Sequence, residues 1–286
     1  MTITLESEQA RRSVPDMLWL DLTRKCQLAC SHCFNASGAT GDHGTMTRAD
    51  WIRVLDEAAA CGVRRIQFIG GEPTMHPDAA HLVGHALALG LDVEVYTNLV
   101  HVPAAWWELF QRDGMSVATS YYSDNPDEHN AITGRPSHAR TRAAIARAVE
   151  LGIPIRAGII VDPGDDDRAE RARRDLEALG VTRIRVDRVR AFGRAATGQE
   201  PDAAELCGRC GEGRAAIGPN GDVSPCAMSG WMSVGNVHHE PLGAIVGGAV
   251  MAEATAAIGA VPRSGGCDPD QECSPGTPGS ECNPRN

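Results

Sequence analysis

The chain has 286 residues, 42% of them hydrophobic, 22% charged and only 4% aromatic, which is enough to bury a large core of aliphatics and alanine. A net charge of −10 without a long basic run excludes nucleic acid as the main partner, because duplex binding needs clustered Lys and Arg to displace counterions. No stretch approaches the roughly 20 apolar residues of a membrane helix, and residues 1–16 lack an apolar signal core, so the expectation is a cytoplasmic chain with no membrane partner.

In chain order, short apolar runs at 17–23, 65–70, 92–97, 116–122, 153–161 and 183–189 predict six strands. Helical spacing fills 47–61, 78–89, 140–151 and 168–179. These stretches stop at Gly62, Gly90, Gly152 and Gly180, where glycine takes the left-handed stop conformation without strain. Alternation of this kind implies an α/β fold with a parallel sheet and right-handed crossovers, and functional residues are expected at the carboxyl ends of the strands. Periodicity does not distinguish an open sheet from a partial barrel. Beyond residue 196 the chain turns rich in Gly, Pro and Cys, with one apolar patch at 242–257 that suits a helix. The stretch 264–286 holds almost no large aliphatics and needs a metal or disulfides to fold.

Ten cysteines in a reducing compartment point to metal ligation or redox chemistry. The first strand runs into Cys26, Cys30 and Cys33, with spacing C-x3-C-x2-C. Three thiolates on one loop can ligate three irons of a [4Fe–4S] cube and leave the fourth open. The loop alone also admits zinc, with His32 as a fourth ligand in the same tight turn. The second strand ends in Gly70-Gly71-Glu72-Pro73, which alone reads as a strand-to-loop turn.

Taken together, these motifs resemble the radical S-adenosylmethionine (SAM) superfamily, whose signature is C-x3-C-x-aromatic-C, with His32 at the aromatic position. The resemblance implies a partial (β/α)6 TIM-like barrel over 16–196, preceded by an N-terminal arm at 1–15. It implies a catalytic [4Fe–4S] cluster on Cys26, Cys30 and Cys33, with SAM on the open iron. Cofactor contacts are then expected from His32, Phe34, Gly70, Gly71, Glu72, Pro73, Thr97, Asn98, Ser120 and Arg156. In this reading Glu72 suits the methionyl ammonium and Arg156 the SAM carboxylate, with a structural or solvated arginine as the alternative for Arg156. Ser120 and His129 fit a family register in which Tyr122 replaces the usual Asp. Arg188, Arg190 and Arg194 resemble a sixth-strand pattern of relatives with an auxiliary domain, either facing substrate or capping the barrel.

Cys207-x2-Cys210, a hairpin turn at Asn220-Gly221, Cys226 and Gly235-Asn236-Val237 resemble the opening of a SPASM or Twitch domain over 197–286. That implies at least one auxiliary [4Fe–4S] cluster on Cys207, Cys210, Cys226 and one of the tail cysteines Cys267, Cys273 and Cys282; a zinc ribbon stays open. Cys61 reads as a small buried hydrophobe, and His238 and His239 as surface residues.

The resemblance implies a radical SAM oxidoreductase that cleaves SAM reductively to a 5′-deoxyadenosyl radical and takes hydrogen from a ribosomally synthesised precursor peptide. A crosslink or other post-translational modification would result. Its partners would be that peptide and an external electron donor such as flavodoxin or ferredoxin; the short N-terminal arm has no room for a leader-binding domain, so any leader peptide would be read by a separate leader-peptide-binding protein or by a surface of the barrel. The alternatives are a radical SAM enzyme acting on a sugar, nucleotide or cofactor precursor, and a non-catalytic Fe–S or zinc module.

Overall fold

The computed structural model describes residues 15–262. Six parallel strands follow one another in both sequence and space: β1 (Met17–Asp21), β2 (Arg65–Ile69), β3 (Asp92–Tyr96), β4 (Met115–Ser120), β5 (Ile155–Val161) and β6 (Arg183–Arg188). The expected strands are all present. They are joined by α1 (Arg48–Cys61), α2 (Ala79–Ala88), α3 (Ala104–Phe110), α4 (Pro126–Thr133), α5 (His138–Glu150) and α6 (Asp166–Ala178). Helix α1 has the expected start and stop: Thr47 and Asp50 form a capping box, and Gly62 closes the helix at φ 91°. Helices α3 and α4 are too short to leave a periodic signature in sequence.

A strictly sequential parallel order with right-handed crossovers sends every helix to the same face. Alternation along the strands then separates two environments. Leu18, Leu20, Ile66, Phe68, Val93, Val95, Val117 and Ile159 face the helices and share one apolar core with Trp51, Leu55, Leu82, Ile145 and Leu176. Their neighbours Trp19, Gln67, Glu94, Tyr96, Ser120 and Arg156 face the other side, the concave interior of a partial barrel.

The sheet does not end at the barrel. β7 (Arg214–Ile217) pairs in parallel with β1, from Met17↔Arg214 to Leu20↔Ile217. β8 (Asp222–Ser224) and β9 (Gly235–Asn236) then continue antiparallel, giving the order β6-β5-β4-β3-β2-β1-β7-β8-β9. The turn between β7 and β8 falls at the expected Asn220-Gly221, with Gly221 at φ 84°. The apolar patch after residue 241 is two helices, α7 (Leu242–Val246) and α8 (Ala249–Ala260), rather than one, because Gly247-Gly248 breaks it. Leu242 N docks α7 on Glu57 of α1 at 2.6 Å. Among the described residues no helix is long and apolar enough to cross a membrane.

Candidate active site

The loop leaving β1 carries Cys26, Cys30 and Cys33 and is held from several sides. Cys26 N donates to Gly38 O at 3.0 Å, while Ala29 N and Ser31 N donate to Thr133 O and Ile132 O at the end of α4, at 3.0 and 2.9 Å. From beyond β6, Arg194 donates its backbone N to Cys33 O (3.0 Å), Nε to Cys30 O (2.7 Å) and Nη1 to Ser37 O (2.8 Å). The preceding Gly193 sits at φ 55° so close to the Cys33 and Phe34 carbonyls that a Cβ would overlap both. Arg194 thus neither caps the barrel nor offers a free guanidinium; it fastens the cysteine loop.

The β2 end supports the same loop from below. Gly71 N donates to Thr23 O at 2.7 Å and Glu72 N to Lys25 O at 2.9 Å, and a Cβ on Gly71 would lie 2.5 Å from Lys25 O. The glycine is needed for this backbone-on-backbone approach. Glu72 is fully buried, and its carboxylate accepts from Thr74 N (3.1 Å), Thr74 Oγ1 (2.7 Å) and Asn98 N (2.8 Å). Burial pushes that carboxyl up, against those hydrogen bonds. Its oxygens are therefore turned into the wall, correcting the expectation that they face a ligand ammonium. Glu72 instead fixes Asn98, whose Nδ2 lies 3.7 Å from Cys26 Sγ. Pro73, which starts a 3₁₀ turn, and Thr97, whose Oγ1 accepts from Leu99 N at 3.2 Å, are buried behind the wall.

These walls enclose a cavity of about 1100 Å³, open mouth included. Cys26, Cys30, Cys33, His32, Phe34, Gly70, Gly71, Asn98 and Ser120 line it. Tyr96, Tyr122, His129, Arg188, Arg190, Arg194 and Met228 complete its sides. Tyr96 Oη and Ser120 Oγ are 3.0 Å apart, and the His32 and Tyr122 rings meet edge-on with centroids at 4.9 Å. Burial pushes the Cys26 thiol up to about 12 and the Cys30 thiol to about 11, so both keep their protons until a metal displaces them. The donor set fits a sulfur-bound cluster. Three thiols share one cavity, Leu28 N points at Cys26 Sγ from 3.4 Å, and His32 Nε2 and Asn35 Nδ2 are buried without a protein partner.

Arg156 is not part of this site. It lies near the amino end of β5, five residues before Val161, or roughly 16 Å at the usual ~3.3 Å rise per residue. There it forms a buried two-pronged ion pair with Glu94: Nε to Oε2 and Nη2 to Oε1, both 2.8 Å. Its guanidinium also covers the Tyr96 ring at 5.3 Å. Burial opposes the Glu94 charge, yet Arg156 holds the carboxyl below its ordinary range. The pair lines a separate cavity with Arg65, Asp92 and Arg183.

A second sulfur constellation sits against the inner face. Cys207, Cys210 and Cys226 are buried beside Trp19, Phe192, Leu206 and Ile258, and Cys207 Sγ lies 4.0 Å from Cys210 Sγ. Backbone amides point at two of the sulfurs: Arg209 N at Cys207 (3.4 Å) and Met228 N at Cys226 (3.2 Å). A hydrogen bond from Cys210, with backbone and arginine help, outweighs burial and brings Cys207 down to about 6. Cys226 is likewise lowered by Cys210, which is itself held protonated between them. Cys267, Cys273 and Cys282 lie outside the described residues. Cys61 is half-buried against Gly243, away from both constellations, and His238 lies 3.9 Å from Asp50.

A sequential parallel barrel with a three-cysteine loop at the β1 exit and glycines at the β2 exit defines an iron–sulfur enzyme scaffold, and residues 20–176 match the family described as the radical SAM superfamily. The chain belongs to that superfamily. Residues 207–274 match SPASM, an iron–sulfur cluster-binding domain. Membership brings a [4Fe–4S] cluster, SAM and an auxiliary cluster as the resident cofactors. The chain is similar to PqqA peptide cyclase of Streptomyces rochei, 30% identical over 196 residues, covering 67% of this chain and 54% of that protein. It is also similar to PqqA peptide cyclase of Ruegeria pomeroyi, 29% identical, covering 66% and 51%. The chain thus spans about half the length of the curated relatives it matches. In fold it resembles Streptococcus suis SuiB, solved bound to its precursor peptide SuiA, with a TM-score of 0.74 at 17% identity, covering 91% of this chain and 70% of that one.

Proposed function

We propose that the chain is a radical SAM peptide maturase, acting in the cytoplasm to install a crosslink or other modification in a ribosomally synthesised precursor peptide. The observation that carries this reading is an open cavity lined by the first cysteine set and reaching a residue that touches the second. Cys26, Cys30 and Cys33 line it, and so does Met228, whose amide points at Cys226. The names of the relatives and the peptide-bound neighbour support a peptide as substrate.

When bound, the [4Fe–4S] cluster and SAM would supply radical chemistry able to take hydrogen from the substrate. The chain's own residues prepare for that. Cys26, Cys30 and Cys33 hold the cluster, with Leu28 N and Asn98 Nδ2 as donors to the Cys26 sulfur. Gly70, Gly71, Asn98, Ser120, His32 and Phe34 shape the SAM pocket, and the apolar walls at Phe34, Ile69 and Met228 exclude water. Cys207, Cys210 and Cys226 would hold the auxiliary cluster. The work divides near residue 196, with the barrel at 16–196 and the auxiliary module at 197–286. A flavodoxin or ferredoxin supplies the electron, and a separate protein presents the leader peptide.

The test is anaerobic reconstitution with iron and sulfide, reduction in the presence of SAM, and assay for 5′-deoxyadenosine beside a variant lacking Cys26, Cys30 and Cys33. Nucleoside formed only by the intact triplet is expected, and iron retained by the variant reports the auxiliary cluster. An iron-loaded protein that cleaves no SAM, with or without candidate peptides, removes the catalytic reading.

A further inference from the structure

We propose that the carboxyl end of β6 selects an acidic peptide segment, with Arg188 receiving a side-chain carboxylate of the substrate; this rests on the peptide-maturase reading.

The chain carries a net charge of −10, yet among the described residues the cavity wall includes Arg188, Arg190 and Arg194 and no Asp or Glu. A concave, largely apolar wall bearing one sign of charge focuses its field on whatever enters. The three arginines differ in what they have left to give. Arg194 has Nε and Nη1 on the Cys30 and Ser37 carbonyls. Arg190 is held by Asp187 at 3.2 Å and by Glu205 O at 2.7 Å. Arg188 uses Nη1 on Glu205 Oε2 at 2.8 Å, and its side chain is 51% exposed.

An exposed pair of that kind is worth only about 0–1 kcal/mol, so an incoming carboxylate displaces or joins it at little cost. A guanidinium has donors enough for Glu205 and a second, two-pronged carboxylate. Position favours substrate over cofactor. β6 is the far edge of the barrel sheet, four strands from β2, which leads into Gly70 and Gly71. Phe34, Val189 and Met228 give the chain of a peptide an apolar bed beside the arginine.

The probes are fluorescein-labelled, C-terminally amidated decapeptides of Gly and Ser carrying either Glu or Gln at the same positions. Binding is read by anisotropy on the full reconstituted protein with SAM at saturation. Glu peptides are expected to bind about tenfold tighter than Gln peptides, equivalent to ~1.4 kcal/mol. Arg188→Gln should bring that ratio below about twofold, Arg188→Lys should keep part of it, and Arg173→Gln on the outer face of α6 should keep all of it. Equal binding of the two peptides, or an unchanged ratio in Arg188→Gln with native circular dichroism, overturns the proposal. So does an Arg188→Gln protein that loses SAM affinity in equilibrium dialysis but still prefers Glu, since the cation then serves the cofactor. 5′-Deoxyadenosine formation without peptide is measured on the same wild-type preparation. Its absence sinks the radical reading and leaves the peptide comparison standing separately.

Discussion

Arg194 and Cys30 are 164 positions apart in sequence, yet Arg194 Nε donates to the Cys30 carbonyl at 2.7 Å. With Arg194 Nη1 on Ser37 O and its amide on Cys33 O, one residue beyond β6 sets the shape of the loop leaving β1. Among the described residues this guanidinium pairs with carbonyls rather than with a carboxylate, and its charge works against the burial that raises the Cys30 thiol.

Arg194→Gln is therefore expected to lose iron at the N-terminal site while keeping auxiliary iron. Each charge-assisted hydrogen bond lost costs about 1.5–3 kcal/mol. Iron per chain and the electron paramagnetic resonance signal of the reduced protein, with and without SAM, read this out. Full iron with an unaltered SAM-dependent signal contradicts the clamp.

Gly71→Ala places a Cβ 2.5 Å from Lys25 O, where only backbone can yield. The expected result is a folded protein that fails to take up the SAM-dependent cluster, with SAM cleavage down at least about tenfold, or ~1.4 kcal/mol in the barrier. Gly62, at φ 91°, has nothing near its Cβ position, so Gly62→Ala should lower only the melting temperature. Equal SAM cleavage in both variants would separate the β2 end from the site.

Arg156→Met leaves Glu94 buried without its partner and should destabilise by roughly 3–5 kcal/mol, whereas Arg156→Met with Glu94→Leu should recover much of that loss. Chemical unfolding measures both. A loss of SAM affinity without a loss of stability would return Arg156 to the cofactor.

Low pH tests the buried imidazoles. Burial, and then His138 beside it, brings His129 down to about 4 from an unfolded value near 6.5. The unfolded chain thus binds the proton first. The stability held above about pH 6.5 is lost as pH falls toward 4, by about 2 kcal/mol at pH 5. His32, His76 and His138 shift the same way. The melting temperature should fall from pH 7 to pH 5, and His129→Gln should flatten part of that slope. An identical slope in the variant would mean that His129 is not the titrating group.

Much of this was legible in one dimension. Strand order, helix stops and the cysteine loop are written in local patterns, and local patterns survive folding unchanged. The places of Arg156 and Glu72 were not legible, for a different reason. Residue type and neighbourhood do not say which end of a strand a side chain occupies, or which of two walls a carboxylate faces. Glu94, the partner that claims Arg156, lies two strands away. Likewise nothing near Arg194 in sequence announces a contact with Cys30, and nothing near Met228 announces its place in the cavity wall. Those roles exist only once β6 and the hairpin are folded against β1.

The pairing of β7 with β1 bears on how the chain is made. β1 is synthesised before the other strands, but its second neighbour follows roughly 200 residues later, or about 10–40 s at ordinary elongation rates. Throughout that interval one row of β1 amides and carbonyls has no native partner, and an open edge of this kind invites pairing with other nascent chains. Yield in the cell should therefore depend on translation speed and chaperone supply as much as on iron. A barrel cut free of its cysteine-rich C-terminal third would carry that exposed edge permanently.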